Sequence, residues 1–378
     1  MLEWARERAG LPIPDAARRL GTSDNTLVQW ESSAIRPTMS QLRKIASVYR
    51  VPLANFLLVA PPKVPDALVK LRSLQGSEGS SPRSQAFTSV VQRAVDQQAV
   101  MRDLADRGIL EPRALIRIEA ESLPDTAANT IRDWLGVTWQ LQEEWVRQRR
   151  SLRGWTDRLE GNDILVLQAQ RVPVPEMRGF SLIDAPYPVV CLNGADAKTA
   201  KLFTLIHELV HVLRAQAGQQ DVHVTRGTGA HDALERFCNR VAAAVLMPKT
   251  QVEEESDVLR ASSTTQWNDS SLRRLSSRYG VSRDAFLLRL VEIGRADSHS
   301  FKLQAASYYS NDELVDEDEA NSSNAPLYYP LKVRDLGRKF IVSVGGAFDR
   351  EELSSRDASL SLGVKLDRIP RLLQEATR

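Results

Sequence analysis

His207-Glu208-Leu209-Val210-His211 is the stretch whose residue types and spacing can do chemistry. On a helix, residues four apart lie one above the other. His207 and His211 then present two imidazole nitrogens to one metal ion, and Glu208 reaches a water beside it. This H-E-x-x-H spacing suits Zn²⁺ with one open coordination position, so a third protein ligand is required. The residues before His207 are apolar or small, as a buried helix needs. The competing reading is a pair of satisfied core histidines, but histidine is costly to bury without a partner.

The third ligand is expected in residues 234–248, which read as a helix ended by Pro248. Leu234, Phe237, Cys238, Val241 and Val245 recur at helical spacing, with Glu235 beside that face and Asn239 one turn on. Glu235 is the expected ligand, and Asn239 the residue that holds a ligand imidazole through its other ring nitrogen. Alternatively, Glu235 is a first-turn acid favoured by the helix dipole.

Together, Phe203-Thr204-Leu205-Ile206-His207-Glu208-Leu209-Val210-His211 and the run from Glu235 to Pro248 resemble the ImmA/IrrE family of zinc metallopeptidases. Residues 159–167, 177–182 and 188–193 resemble the strands before the family's motif helix, and Tyr279-Gly280-Val281-Ser282 and Leu288-Arg289-Leu290 its closing helices. The resemblance spans about residues 130–297. It departs at Val210, where the family usually has glycine, narrowing the space beside the metal, and at Leu202, where arginine is common; neither removes a ligand. It implies Zn²⁺ on His207, His211 and Glu235, with Glu208 as catalytic base. His231 and His223, in the segment 218–231, are candidates for stabilising the oxyanion, against the plainer reading of surface histidines. An extended substrate is expected to pair with the strand 189–193.

The N-terminus carries a second module, expected as five short helices over 1–9, 12–20, 23–31, 39–49 and 53–59. Ser23 stands as an N-cap, and Gly21 between two short helices is a helix-turn-helix signal. Ser23-Asp24-Asn25-Thr26-Leu27-Val28-Gln29-Trp30-Glu31 with Arg36-Pro37-Thr38 resembles the recognition helix and following loop of the Cro/phage-repressor (XRE) DNA-binding family. The resemblance implies Asn25, Thr26 and Gln29 in a major groove and Arg36, Arg43 and Lys44 on phosphates. Pro12-Ile13-Pro14 replaces the polar start of the family's second helix, yet proline fits a first turn. Residues 1–62 hold eight Lys and Arg against five Asp and Glu, a mild basic excess. A docking or dimerisation module, including a homodimer, is the alternative.

The 378 residues suffice for two or three domains; hydrophobic residues are 42% and charged residues 26%, ordinary for a globular chain. A net charge of +2 argues against a nucleic-acid-coating polycation. Cys191 and Cys238 fall in apolar elements and read as buried thiols. No signal peptide or membrane span is visible, so the expected location is cytoplasmic.

The expected fold class is α+β and mostly helical. A five-helix helix-turn-helix domain (1–62) precedes a Ser/Gly-rich linker (63–85) and a zincin-like peptidase domain with a small sheet and helical lead-in (86–297). An acidic loop (298–326) and a helical C-terminal segment (327–378) follow. Helices are expected over 87–107 and 126–150, with Trp134, Trp139, Trp145 and Trp155 as core. The leading functional expectation is a DNA-binding regulatory zinc endopeptidase that cleaves a specific protein such as a transcriptional repressor, in stress response or mobile-element control. The alternative is an antitoxin that binds its toxin and autoregulates its operon. Either implies a protein partner and a double-stranded DNA operator.

Overall fold

The computed structural model describes residues 1–49, 56, 84–119, 121–214, 233–297 and 328–378, and the backbone of 222–225. These form two units, Met1–Val95 and Asp96–Arg378.

In the first unit, α1 (Leu2–Arg8), α2 (Ile13–Leu20), α3 (Asp24–Glu31) and α4 (Met39–Tyr49) enclose Ala5, Leu11, Ala16, Leu20, Leu27, Trp30 and Ile45. Pro12 is the N-cap of α2 and Pro14 lies in its first turn, where amide groups lack helical partners anyway. Gly21 ends α2 at φ 67°, a conformation open to glycine. Ser23 Oγ accepts the Thr26 amide at 3.1 Å and starts α3, as its position predicts. Arg6 grips both oxygens of Glu31, at 2.7 and 3.0 Å, and ties α1 to α3. The expected helix over 53–59 and the acidic loop lie outside the described residues, as does nearly all of the linker; Gln85, its last residue, instead opens α5 (Gln85–Asp106).

In the second unit, α6 (Pro124–Leu135), α7 (Trp139–Arg147) and α8 (Ser151–Gly161) lead into the sheet. The single helix expected over 126–150 is broken: Gly136 takes φ 63° and Thr138 caps a new start. Trp145 and Trp155 pack edge to face in the core, with Trp134 and Trp139 against it.

Strands β1 (Leu165–Ala169), β2 (Gly179–Leu182), β3 (Val189–Asn193) and β4 (Val222–Thr225) lie in the order β1-β3-β2-β4. β1 and β3 are parallel; β2 is antiparallel to β3 and β4. This corrects the expected substrate strand: Val189–Asn193 is an inner strand, buried throughout and bonded on both sides, with no edge to offer a peptide.

Across the sheet runs α9 (Lys198–Arg214), beside α10 (Ala233–Leu246). Short helices α11 (Lys249–Glu253) and α12 (Ser256–Leu259) follow, then α13 (Asp269–Tyr279) and α14 (Arg283–Glu292). The C-terminal segment forms α15 (Tyr328–Leu336), α16 (Arg338–Asp349), α17 (Ser355–Leu362) and α18 (Ile369–Thr377). It belongs to the second unit, because α15 and α16 pack on β1. Gly337, at φ 82°, has no room for a side chain: a Cβ would stand 2.7 Å from the Val166 carbonyl. Beyond it the Lys339 amide donates to Glu160 Oε1 at 3.2 Å, and the Lys339 ammonium pairs with Asp163. Burial pushes the Glu160 carboxyl up to about 8, against the lowering effect of the Lys339 amide. Cys191 and Cys238 are both buried.

Candidate metal centre

Leu202, Leu205, Ile206, Leu209, Val210 and Leu213 bury α9 in the core. Val210 and Leu202, the two departures from the family pattern, are part of that packing. The same burial takes in His207, Glu208 and His211, at 2%, 0% and 6% exposure. Imidazole and carboxylate groups this deep need polar partners.

One of those partners, the Glu235 carboxylate, comes from α10 and meets both imidazoles. His207 Nε2 stands 3.1 Å from His211 Nε2. Glu235 Oε2 is 3.3 Å from His207 Nε2, and Glu235 Oε1 is 3.2 Å from His211 Nε2. The three residues expected as ligands thus meet at one point, and among the described residues they form the metal-competent cluster. A tetrahedral Zn²⁺ with donors at about 2.0–2.1 Å sets neighbouring donors about 3.3–3.4 Å apart. The observed triangle fits that shell, and two imidazoles with one carboxylate are zinc ligands by type.

Three buried side chains hold the far end of α10. Arg132 donates to the Val245 carbonyl at 2.6 Å, Gln142 to Leu246 at 2.7 Å and Arg289 to Met247 at 3.0 Å. These carbonyls end a helix before Pro248 and have no helical amide to accept from. Burial lowers the Arg132 guanidinium to about 10. The helix bearing Glu235 is thereby anchored to α6, α7 and α14. Cys238, Val241 and Val245 bury its apolar face with Phe237 beside them, but Leu234, in the first turn, is exposed. Periodicity reports residue type, not how far a helix has entered the core. Asn239, one turn past Glu235, is half-buried.

Sequence reasoning missed Ser181. Its Oγ donates to Glu208 Oε2 at 2.7 Å, and both residues are fully buried. Nearby, Gly179 lets α9 close on β2: a Cβ there would stand 2.5 Å from Thr204 Cγ2 and 3.6 Å from Glu208 Cγ. The available signal was Gly179-Phe180-Ser181-Leu182, where small residues alternate with large apolar ones. Of the expected oxyanion residues, His231 lies outside the described residues, and the His223 backbone pairs with Ser181 across β2 and β4.

In the first unit, Asn25 and Arg36 are exposed, and Thr26 and Gln29 half-buried, with the Thr26 hydroxyl 2.8 Å from Ser23 Oγ. Arg43 is exposed, and the Lys44 ammonium donates to the Leu20 carbonyl at 2.6 Å. No helix among the described residues is long and apolar enough to cross a membrane.

No curated protein and no solved structure matches the chain. The family model described as helix-turn-helix matches residues 2–56, which cover α1 to α4. That described as IrrE N-terminal-like domain matches residues 165–291, from β1 into the last turn of α14, and so takes in the sheet, both ligand-bearing helices and Ser181. The chain therefore joins an N-terminal helix-turn-helix domain to an IrrE-like, metallopeptidase-like domain.

Proposed function

We propose that this protein is a DNA-binding regulator whose second unit is a zinc-dependent endopeptidase acting on one specific protein, such as a transcriptional repressor. The observation that carries the reading is the convergence of His207 Nε2, His211 Nε2 and the Glu235 carboxylate at 3.1–3.3 Å, with Glu208 on the same helix. A closed structural zinc site has no use for a buried glutamate beside its ligands.

His207, His211 and Glu235 hold the metal in this reading. Zinc supplies a Lewis acid there and brings the pKa of water toward neutrality. Glu208 takes the proton of the attacking water and returns it to the leaving amine. Ser181 donates to Glu208 Oε2 and so orients the carboxylate assigned to that proton. The anchors on Val245, Leu246 and Met247 keep Glu235 in place while substrate enters.

The first unit places α3 in a major groove of operator DNA. Asn25, Thr26 and Gln29 read bases there, while Arg36 and Lys44 serve phosphates. The location this implies is the cytoplasm.

The test is to co-purify the partner with the chain, then incubate the purified pair with zinc and with chelator. Single-site, zinc-dependent cleavage that is lost in Glu208→Gln while zinc is retained supports the reading. A partner that is bound and neutralised but never cut supports the antitoxin alternative instead.

A further inference from the structure

Side chains alternate across a strand, so Gly179 and Ser181 share one face of β2 and Phe180 and Leu182 the other. The first face meets α9: Gly179 lies against Thr204 and Glu208, and Ser181 bonds Glu208. One position supplies room and the other a hydroxyl. At 2.7 Å the Ser181–Glu208 contact is a well-formed O–H···O hydrogen bond. All four β2 residues are buried, and a hydroxyl at such depth is unfavourable unless it is hydrogen-bonded. Ala or Val would fill this strand position for packing alone.

We propose that Ser181 is a positioning residue for Glu208. A glutamate side chain has three rotatable bonds, and a proton acceptor must lie within hydrogen-bond reach of its water. Packing against Gly179 limits where the Glu208 stem can go, and the Ser181 hydroxyl fixes Oε2. Together they settle the carboxylate before substrate arrives. This inference rests on the peptidase reading for its catalytic consequence, but not for the contact itself.

Two measurements on the full-length protein test it. The first needs no catalysis. Melting temperatures are taken for wild type, Ser181→Ala, Glu208→Ala and the double variant, each with and without zinc. The double variant should lose clearly less than the sum of the single losses, since either change alone breaks the same bond. Additive losses would overturn the proposal. The second follows cleavage of the co-purified partner. Ser181→Ala should keep zinc content and KM while kcat falls on the order of tenfold to a hundredfold, as expected for a misplaced catalytic group. Ser181→Thr keeps the hydroxyl and should restore most of kcat, and adding Ser181→Ala to Glu208→Gln should cost nothing more. A Ser181→Ala enzyme with wild-type kcat, or one whose KM alone rises, contradicts the positioning role. A wild type that cuts nothing refutes the peptidase reading, and with it the catalytic half of this inference; the melting cycle then decides the Ser181 contact by itself.

Discussion

Replacing Gly179 with alanine tests how closely α9 must sit on β2. The new methyl would stand 2.5 Å from Thr204 Cγ2 and 3.0 Å from the Cys191 carbonyl. Ordinary contact between carbon atoms is about 3.5–4.0 Å, so helix and strand must part by about 1 Å. Moving α9 that far would stretch the 2.7 Å Ser181–Glu208 bond beyond hydrogen-bond range. Overpacking of this kind costs about 1–3 kcal/mol. In a unit of this size that lowers the melting temperature by about 2–5 °C. Displacing a catalytic group by about 1 Å lowers turnover on the order of a hundredfold. The assay is differential scanning calorimetry beside cleavage of the co-purified partner. The control is Gly179→Ala with Thr204→Ser, which deletes the clashing methyl. It should recover part of both losses, leaving the 3.0 Å approach to the Cys191 carbonyl. A Gly179→Ala protein with wild-type melting and turnover, or no recovery in the double variant, would refute the reasoning.

Glu160 predicts a pH dependence. Its folded-state carboxyl is raised to about 8 by burial, so the folded chain holds a proton that the unfolded chain releases near the ordinary glutamate pKa. Stability from this group is therefore fullest at low pH and declines as pH rises through that window, at up to about 1.4 kcal/mol per unit. Glu160→Gln can still accept the Lys339 amide, so its melting curves between pH 5 and 8 should be flatter than wild type; parallel curves would dismiss the effect. Gln142→Ala strands the buried Leu246 carbonyl and should cost about 1–3 kcal/mol in chemical denaturation; a neutral substitution would show that this anchor is dispensable. In the first unit, Gln29→Ala should reduce discrimination between operator sequences in gel shifts by about 1–3 kcal/mol, and unchanged discrimination would move base reading to other residues.

The sequence was most legible where the signal is local. The i, i+4 histidines, the cap at Ser23 and the helix over 39–49 depend on residues within one or two turns, and the structure has all three. Glu235 was placed by helical spacing together with family resemblance, and it lies within 3.3 Å of both histidines. Gly136 was a local signal passed over; its left-handed conformation splits the helix expected over 126–150. Strand order was not legible, because pairing β1 with β3 rather than β2 is decided by contacts distant in sequence. That pairing is what buried the expected substrate strand. Ser181 was hidden for the same reason: its partner is 27 residues away, and nothing in a four-residue strand says which side a helix will cover. The packing of residues 328–378 on β1 through Gly337 and Glu160 likewise depends on tertiary fit alone.

Metal analysis tests the central claim most directly. Protein purified without chelator and loaded with zinc should carry about one Zn²⁺ per chain by plasma mass spectrometry. His207→Ala, His211→Ala and Glu235→Ala should each lose it, while Glu208→Gln retains it. Wild-type protein that stays metal-free after loading, or ligand variants that bind zinc as well as wild type does, would contradict the assignment of His207, His211 and Glu235.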